Sequence, residues 1–211
     1  MTPSNPITHS FHIFGDALCQ NYAPGGSQTV NLEICSAKPI PEQRDALFKE
    51  FISYIQAIGK EQRLKDSGIL PSPEEYIKLR LDSSAIGLVY AITEFSVNRR
   101  IPEVLKDMPA MKTIREQTIA IIFLVNDIAS FRKELKSDCL HNYIPIAYNA
   151  GSSLQNALLG AVKSIEERVE AFEKAAEELV EEAKANGYTE NDVLWFIQMC
   201  QTYCTGNFEW R

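Results

Sequence analysis

Seven consecutive apolar residues, Ile119 to Val125 (IAIIFLV), run straight into Asn126, Ser130 and Glu134, which recur at every fourth position. A helix that is apolar on all sides is enclosed by protein. Steps of four advance about 40° around a helix and about 6 Å along it, so an amide, a hydroxyl and a carboxylate fan across one face at the polar end. Such groups need partners when they leave water. One reading is an ordinary helix emerging from a core, its polar residues turned to water beside Arg132 and Lys133. The other is that one hard divalent ion gathers the three oxygens. Oxygen donors suit magnesium better than zinc, which favours nitrogen and sulfur.

The rest of the chain predicts more helix. Leu47, Phe48, Phe51, Tyr54, Ile55 and Ile58 recur at threes and fours after Pro41, with Gly68 as a stop. Ser72, Pro73 and Glu75 form a cap, a first-turn proline and a capping-box acid, predicting a helix to about Asn98. A short helical segment is expected after Pro102, and the helix bearing Asn126 is expected from about Ala110 to Leu135. A long helix is expected over Ser153 to Ala185, with a stripe of Leu158, Val162, Ile165, Val169, Phe172, Ala176, Leu179 and Ala183. That stripe fits packing within a bundle, the favoured reading, or a self-association seam. Its eight glutamates from Glu166 to Glu182 read as a solvated face. Gly187 ends it, and Thr189 with Asp192 starts a last helix through Trp195, Phe196, Met199 and Tyr203. Nothing reads as a strand, so an all-α antiparallel helical bundle is expected over residues 41–211. Residues 1–40, rich in proline and glycine, are expected to be irregular, with a short helix around Phe11 to Tyr22.

At 211 residues and 45% hydrophobic composition the chain supports one sizeable core. A net charge of −7 argues against nucleic acid as the main partner, since phosphate backbones need a concentrated basic surface. The longest apolar run falls far short of the roughly 20 residues that cross a bilayer, and no signal-like segment opens the chain. A soluble, cytoplasmic protein is the expectation. The five cysteines, Cys19, Cys35, Cys139, Cys200 and Cys204, show no CxxC pairing, and Cys200 with Cys204 reads as a buried apolar pair.

Two strings sharpen this reading. NDIASFRKE, Asn126 to Glu134, resembles the second metal-binding motif of class I terpene synthases, (N/D)Dxx(S/T)xxxE, at every defined position. The resemblance implies that Asn126, Ser130 and Glu134 bind one Mg²⁺ and that Lys133 contacts a substrate diphosphate. PSPEEYIKLR, Pro71 to Arg80, resembles the PSxxEYxxxR helix start of the same family, whose arginine senses the diphosphate. Independently, a guanidinium offers a planar fork of donors to phosphate oxygens. The family's linker and effector positions fall on Ser83 and Ser84, and the acid common at the linker appears instead as the neighbouring Asp82. Cavity-wall candidates are Ile119 and Phe123 on the Asn126 helix, then Phe95, Trp195, Phe196 and Tyr203.

The resemblance covers roughly residues 42–210, a truncated class I terpenoid synthase fold. The family's aspartate-rich motif lies further upstream of the sensor arginine than this chain extends, and no Asp-Asp pair occurs in it. GNFEWR, Gly206 to Arg211, resembles the approach to the family's terminal Arg-Tyr pair, and Arg211 falls too early to be its arginine. One ion rather than three is therefore expected. Three functions stay open: a shortened synthase that ionises and cyclises a prenyl diphosphate, farnesyl diphosphate being the expected one; a repurposed enzyme acting on a preformed terpenoid or polyene without diphosphate loss; and a non-catalytic partner of a complete synthase. A homodimer that completes the cavity is compatible with the first.

Overall fold

The structure is a computed structural model. It describes residues 41–96, 99–137 and 139–209, leaving aside the side chains of residues 41, 42 and 95. The short helix expected at Phe11 to Tyr22, Cys19, Cys35, Asn98, Trp210 and Arg211 lie outside the described residues. Within them the chain forms helices and no strand: α1 (Pro41–Ser67), α2 (Pro73–Ser83), α3 (Ile86–Ser96), α4 (Glu103–Lys106), α5 (Pro109–Lys136), α6 (Tyr143–Asn149), α7 (Leu154–Ala185) and α8 (Asn191–Glu209). The all-α expectation holds.

Two compact units divide the chain: Met1–Glu50 with Leu88–Arg100, and Phe51–Gly87 with Ile101–Arg211. In the first, α3 is closed where the Arg99 N–H donates to the Glu94 carbonyl at 3.1 Å. The second holds every candidate site residue except Phe95.

Local chemistry sets most helix ends. Gly68, at φ +69°, terminates α1 in the left-handed region that glycine enters freely. The α2 start is a complete capping box: the Ser72 hydroxyl accepts from the Glu75 N–H at 3.2 Å, and the Glu75 carboxylate accepts from the Ser72 N–H at 2.9 Å. Pro109 opens α5 at a position where no amide hydrogen is needed. Ser153 caps α7, and Asp192 accepts from both the Thr189 N–H and its hydroxyl before α8.

Helix α5 is central to the second unit. It packs against α2, α4, α6, α7 and α8, and buries Met111, Ile114, Thr118, Ile119, Ala120, Ile121, Phe123, Leu124 and Asp127. Burial of each large apolar side chain contributes about 1.5 to 3 kcal/mol. The all-round apolar run thus has its cause in neighbours on several sides.

The structure corrects the sequence reading in three places. The helix expected from Pro73 to Asn98 is broken into α2 and α3 at Ser84 and Ala85, Ala85 standing at φ +65°. A left-handed alanine costs about 1 kcal/mol, so surrounding structure and not local preference imposes the break. Helix α6 is a second difference, because no helix is expected between Leu135 and Ser153. The third is the seam of α7: its buried residues are Ala157, Ala161, Phe172, Ala175, Leu179 and Ala183, while Val162 and Val169 are exposed. Alanines let α7 approach α5 and α6 closely, which rotates the packed face away from the bulkier stripe. The helix expected over Leu47 to Ile58 is present as α1, where Phe48, Phe51 and Ile55 are exposed.

Candidate metal centre

Asn126, Ser130 and Glu134 lie on the last three turns of α5, each half-buried. Serine and threonine within a helix commonly return their hydroxyl to the carbonyl four residues back. Thr113 and Thr118 of the same helix do so, at 3.1 Å to Pro109 and 2.7 Å to Ile114. Ser130 does not. Its hydroxyl oxygen is buried with no hydrogen-bond partner among the described residues. An orphaned buried hydroxyl costs about 1 to 3 kcal/mol, so its retention asks for a ligand.

Glu134 is held from outside the helix. Its Oε2 accepts from the side-chain amide of Asn142 at 2.9 Å. The same amide nitrogen donates to the Asp127 carbonyl at 2.8 Å, and the Asn142 side-chain oxygen accepts from the Ile144 N–H at 2.9 Å to cap α6. Asn142 is fully buried.

Asp127 follows Asn126 by about 100° around the helix and faces inward, 3% exposed. Its Oδ2 accepts from the Tyr76 hydroxyl at 2.6 Å and from the Tyr143 N–H at 2.8 Å. Burial pushes the Asp127 carboxyl up to about 6, against the lowering effect of those two bonds and of the Arg80 charge. Burial and the adjoining Asp127 carboxylate likewise drive the Tyr76 hydroxyl far above its ordinary range, so it stays a donor. The pair pins α2 to α5.

One turn after Tyr76, Arg80 projects over the face of Phe123 with its guanidinium carbon 5.8 Å from the ring centroid. Its Nη1 lies 3.7 Å from Glu61, whose carboxylate also holds Lys65 at 2.7 Å. Burial works to raise the Glu61 pKa, but the bond to Lys65 and the Arg80 charge bring it below the ordinary value. The Arg80 Nε is buried without a partner among the described residues. A guanidinium is thus fixed from two sides with a donor to spare.

The remaining predicted residues are placed as follows. Phe123 is buried, meeting Tyr76 edge-on at 6.3 Å between centroids and supporting Arg80 from beneath. Ile119 is buried on the same helix, and Lys133 is exposed in its last turn. On α8, Phe196 and Tyr203 are buried, and half-buried Trp195 donates its indole N–H to the Asp192 carbonyl at 3.0 Å. The backbone of Phe95 lies in α3; its side chain falls outside the described set. The structure brings Arg80, Phe123 and Tyr76 together with Asp127, and Asn142 with Glu134. Sequence reasoning left Asp127, Tyr76 and Asn142 without roles, although Asp127 and Tyr76 are defined positions of the two matched strings.

The donor set fits a magnesium-type ion. Amide, hydroxyl and carboxylate oxygens are hard donors on one helix face, and Ser130 supplies an unused one. No cluster of three or more His, Cys, Asp or Glu is placed to hold an ion among the described residues, so any site here rests on one carboxylate with neutral oxygens. No helix among the described residues is long and apolar enough to cross a membrane.

Comparison with known proteins agrees. The family model described as terpene synthase family 2, C-terminal metal binding, matches residues 31–171. The sesquiterpene cyclase hepA of Aspergillus oryzae is 29% identical over 159 residues, 74% of this chain and 43% of that protein. The linalool/nerolidol synthase of Streptomyces clavuligerus superposes with a TM-score of 0.78 at 15% identity, over 89% of this chain and 66% of that one, a likeness of fold. The 2-methylisoborneol synthase of Streptomyces coelicolor, solved with Mg²⁺ and geranyl-S-thiolodiphosphate, gives a TM-score of 0.72 at 25% identity, over 86% and 56% of the two chains. The chain spans about half the length of the curated relatives it matches.

Proposed function

We propose, from the premise that this chain belongs to the terpene synthase family, that it binds a prenyl diphosphate with Mg²⁺ and converts it by ionisation and carbocation cyclisation. Farnesyl diphosphate is the substrate we assign, on the likeness to a sesquiterpene cyclase. Asn126, Ser130 and Glu134 would hold the ion. Once bound, Mg²⁺ supplies positive charge to the diphosphate oxygens as the leaving group departs. Arg80 orients the diphosphate through its fixed guanidinium, and Lys133 adds a mobile cation at the end of α5. The allylic carbon–oxygen bond breaks with its electron pair passing to the diphosphate. Ile119 and Phe123, with Trp195, Phe196 and Tyr203, supply apolar and aromatic wall; an aromatic face stabilises a passing cation by roughly 0.5 to 2 kcal/mol.

The observation that carries this reading is the buried Ser130 hydroxyl, which ignores its own helix backbone midway between Asn126 and Glu134. Incubating the full chain with farnesyl diphosphate and Mg²⁺ should release diphosphate and a hydrocarbon or terpene alcohol, and Glu134→Ala should abolish both. Failure to release diphosphate from any prenyl diphosphate of ten to twenty carbons would overturn the proposal.

A further inference from the structure

Asn142 stands outside both matched strings, yet every polar atom of its side chain is committed. Its two amide hydrogens serve the Asp127 carbonyl and Glu134 Oε2, and its oxygen serves the Ile144 N–H. Its backbone is extended, at φ −146° and ψ 145°, as an N-cap requires. Four residue types cap helices well through a side-chain oxygen, but serine, threonine and ionised aspartate bring at most one donor. Asparagine alone combines the capping acceptor with two N–H donors at that reach.

The position gives this geometry its consequence. Glu134 belongs to the last turn of α5, which ends at Lys136, where a helix frays and a long carboxylate side chain samples several rotamers. One Asn142 bond grips the backbone two turns earlier, at Asp127, and the other grips the Glu134 carboxylate. The spacing between α5 and the start of α6 is thereby transferred to the carboxylate, and Oε1 is left as the oxygen with no partner among the described residues.

We infer that Asn142 is a positioning residue for the metal centre: it holds Glu134 in the rotamer that binds the ion, with Oε2 fixed by the amide and Oε1 turned over to the cation. This rests on the assignment of Glu134 as a metal ligand made above. Partners that orient a ligating carboxylate tune affinity by about 10- to 100-fold.

The test is Mn²⁺ binding to the full chain in the presence of inorganic diphosphate, followed by electron paramagnetic resonance. Asn142→Ser keeps a capping oxygen and removes both donors, and about tenfold weaker Mn²⁺ binding is expected. In the Glu134→Ala background the same substitution should have no further effect on affinity. A purely structural Asn142 would lower the melting temperature and leave Mn²⁺ affinity unchanged, which overturns the inference. If Glu134→Ala itself leaves affinity unchanged, the metal assignment is what fails. A second measurement needs no variant at position 142. In the unaltered protein labelled with ¹⁵N-asparagine, Mg²⁺ with diphosphate should shift the Asn142 side-chain amide resonances, and a spectrum in which they stay fixed at saturating Mg²⁺ overturns the inference.

Discussion

Replacing Asp127 by asparagine tests the buried contact between α2 and α5. The carboxyl has a folded-state pKa of about 6 against an ordinary value of 3.8, with burial as the main cause. The sign follows from proton counting. Below pH 3.8 both states carry the proton and Asp127 contributes no pH dependence. Between 3.8 and about 6 the unfolded chain has lost the proton while the folded chain keeps it, so stability falls as pH rises. Above about 6 the loss is complete and amounts to about 3 kcal/mol, each pKa unit being worth about 1.4 kcal/mol. Tyr76 and the Tyr143 N–H both donate to the same carboxylate oxygen, so an asparagine carbonyl there accepts both bonds without ionising. Asp127→Asn should match the unaltered protein near pH 4 and exceed it by up to about 3 kcal/mol at pH 8. Urea unfolding of both proteins at intervals from pH 4 to 8 measures this, and their difference removes the slopes of groups such as Glu61 and Asp192, whose lowered pKa values work the other way. A difference that is flat, or that favours the aspartate increasingly as pH rises, refutes the reasoning.

Ser130→Ala should raise the stability of the metal-free protein by about 1 kcal/mol, by removing an unsatisfied buried hydroxyl, while weakening Mn²⁺ binding. Calorimetry beside a metal titration reads both. Ala85→Gly relieves a left-handed alanine and should leave stability equal or better by about 1 kcal/mol in denaturant unfolding, where any other interior alanine-to-glycine change costs a similar amount. Phe123→Ala should cost about 3 to 5 kcal/mol in denaturant unfolding through its cavity, and should also raise KM for the diphosphate substrate because Arg80 loses its support. Burial pushes the Cys204 thiol up to about 12, so in the folded protein it should resist alkylation at pH 8 and become labelled in urea, as peptide mapping would show.

The helices were legible where their signals are local. A capping box at Ser72 and Glu75 and a glycine at 68 each act within one turn, and the observed ends fall there. What escaped depends on partners distant in sequence. The α2–α3 break has no local breaker at Ala85, and the α7 seam runs through alanines whose value lies only in how near a neighbour can come. Asn142 looks like a turn residue until Glu134 and Asp127 are placed beside it.

The same division runs through the candidate site. Period four puts Asn126, Ser130 and Glu134 on one face of α5, and that much is written in the sequence. A face, however, only offers donors. Binding an ion needs the donors held still against the entropy of their side chains, and the holding groups lie on other elements: Tyr76 on α2 through Asp127, and Asn142 at the start of α6 through Glu134. Asp127 stands next to a proposed ligand yet turns inward, away from it. Its carboxylate takes the two donors that fix the register of α2 and α6 against α5, and its carbonyl takes the amide that steadies Glu134. Two neighbours in the motif, an amide and a carboxylate, therefore divide the labour: Asn126 is the proposed ligand of the ion, and Asp127 anchors the helix that presents it.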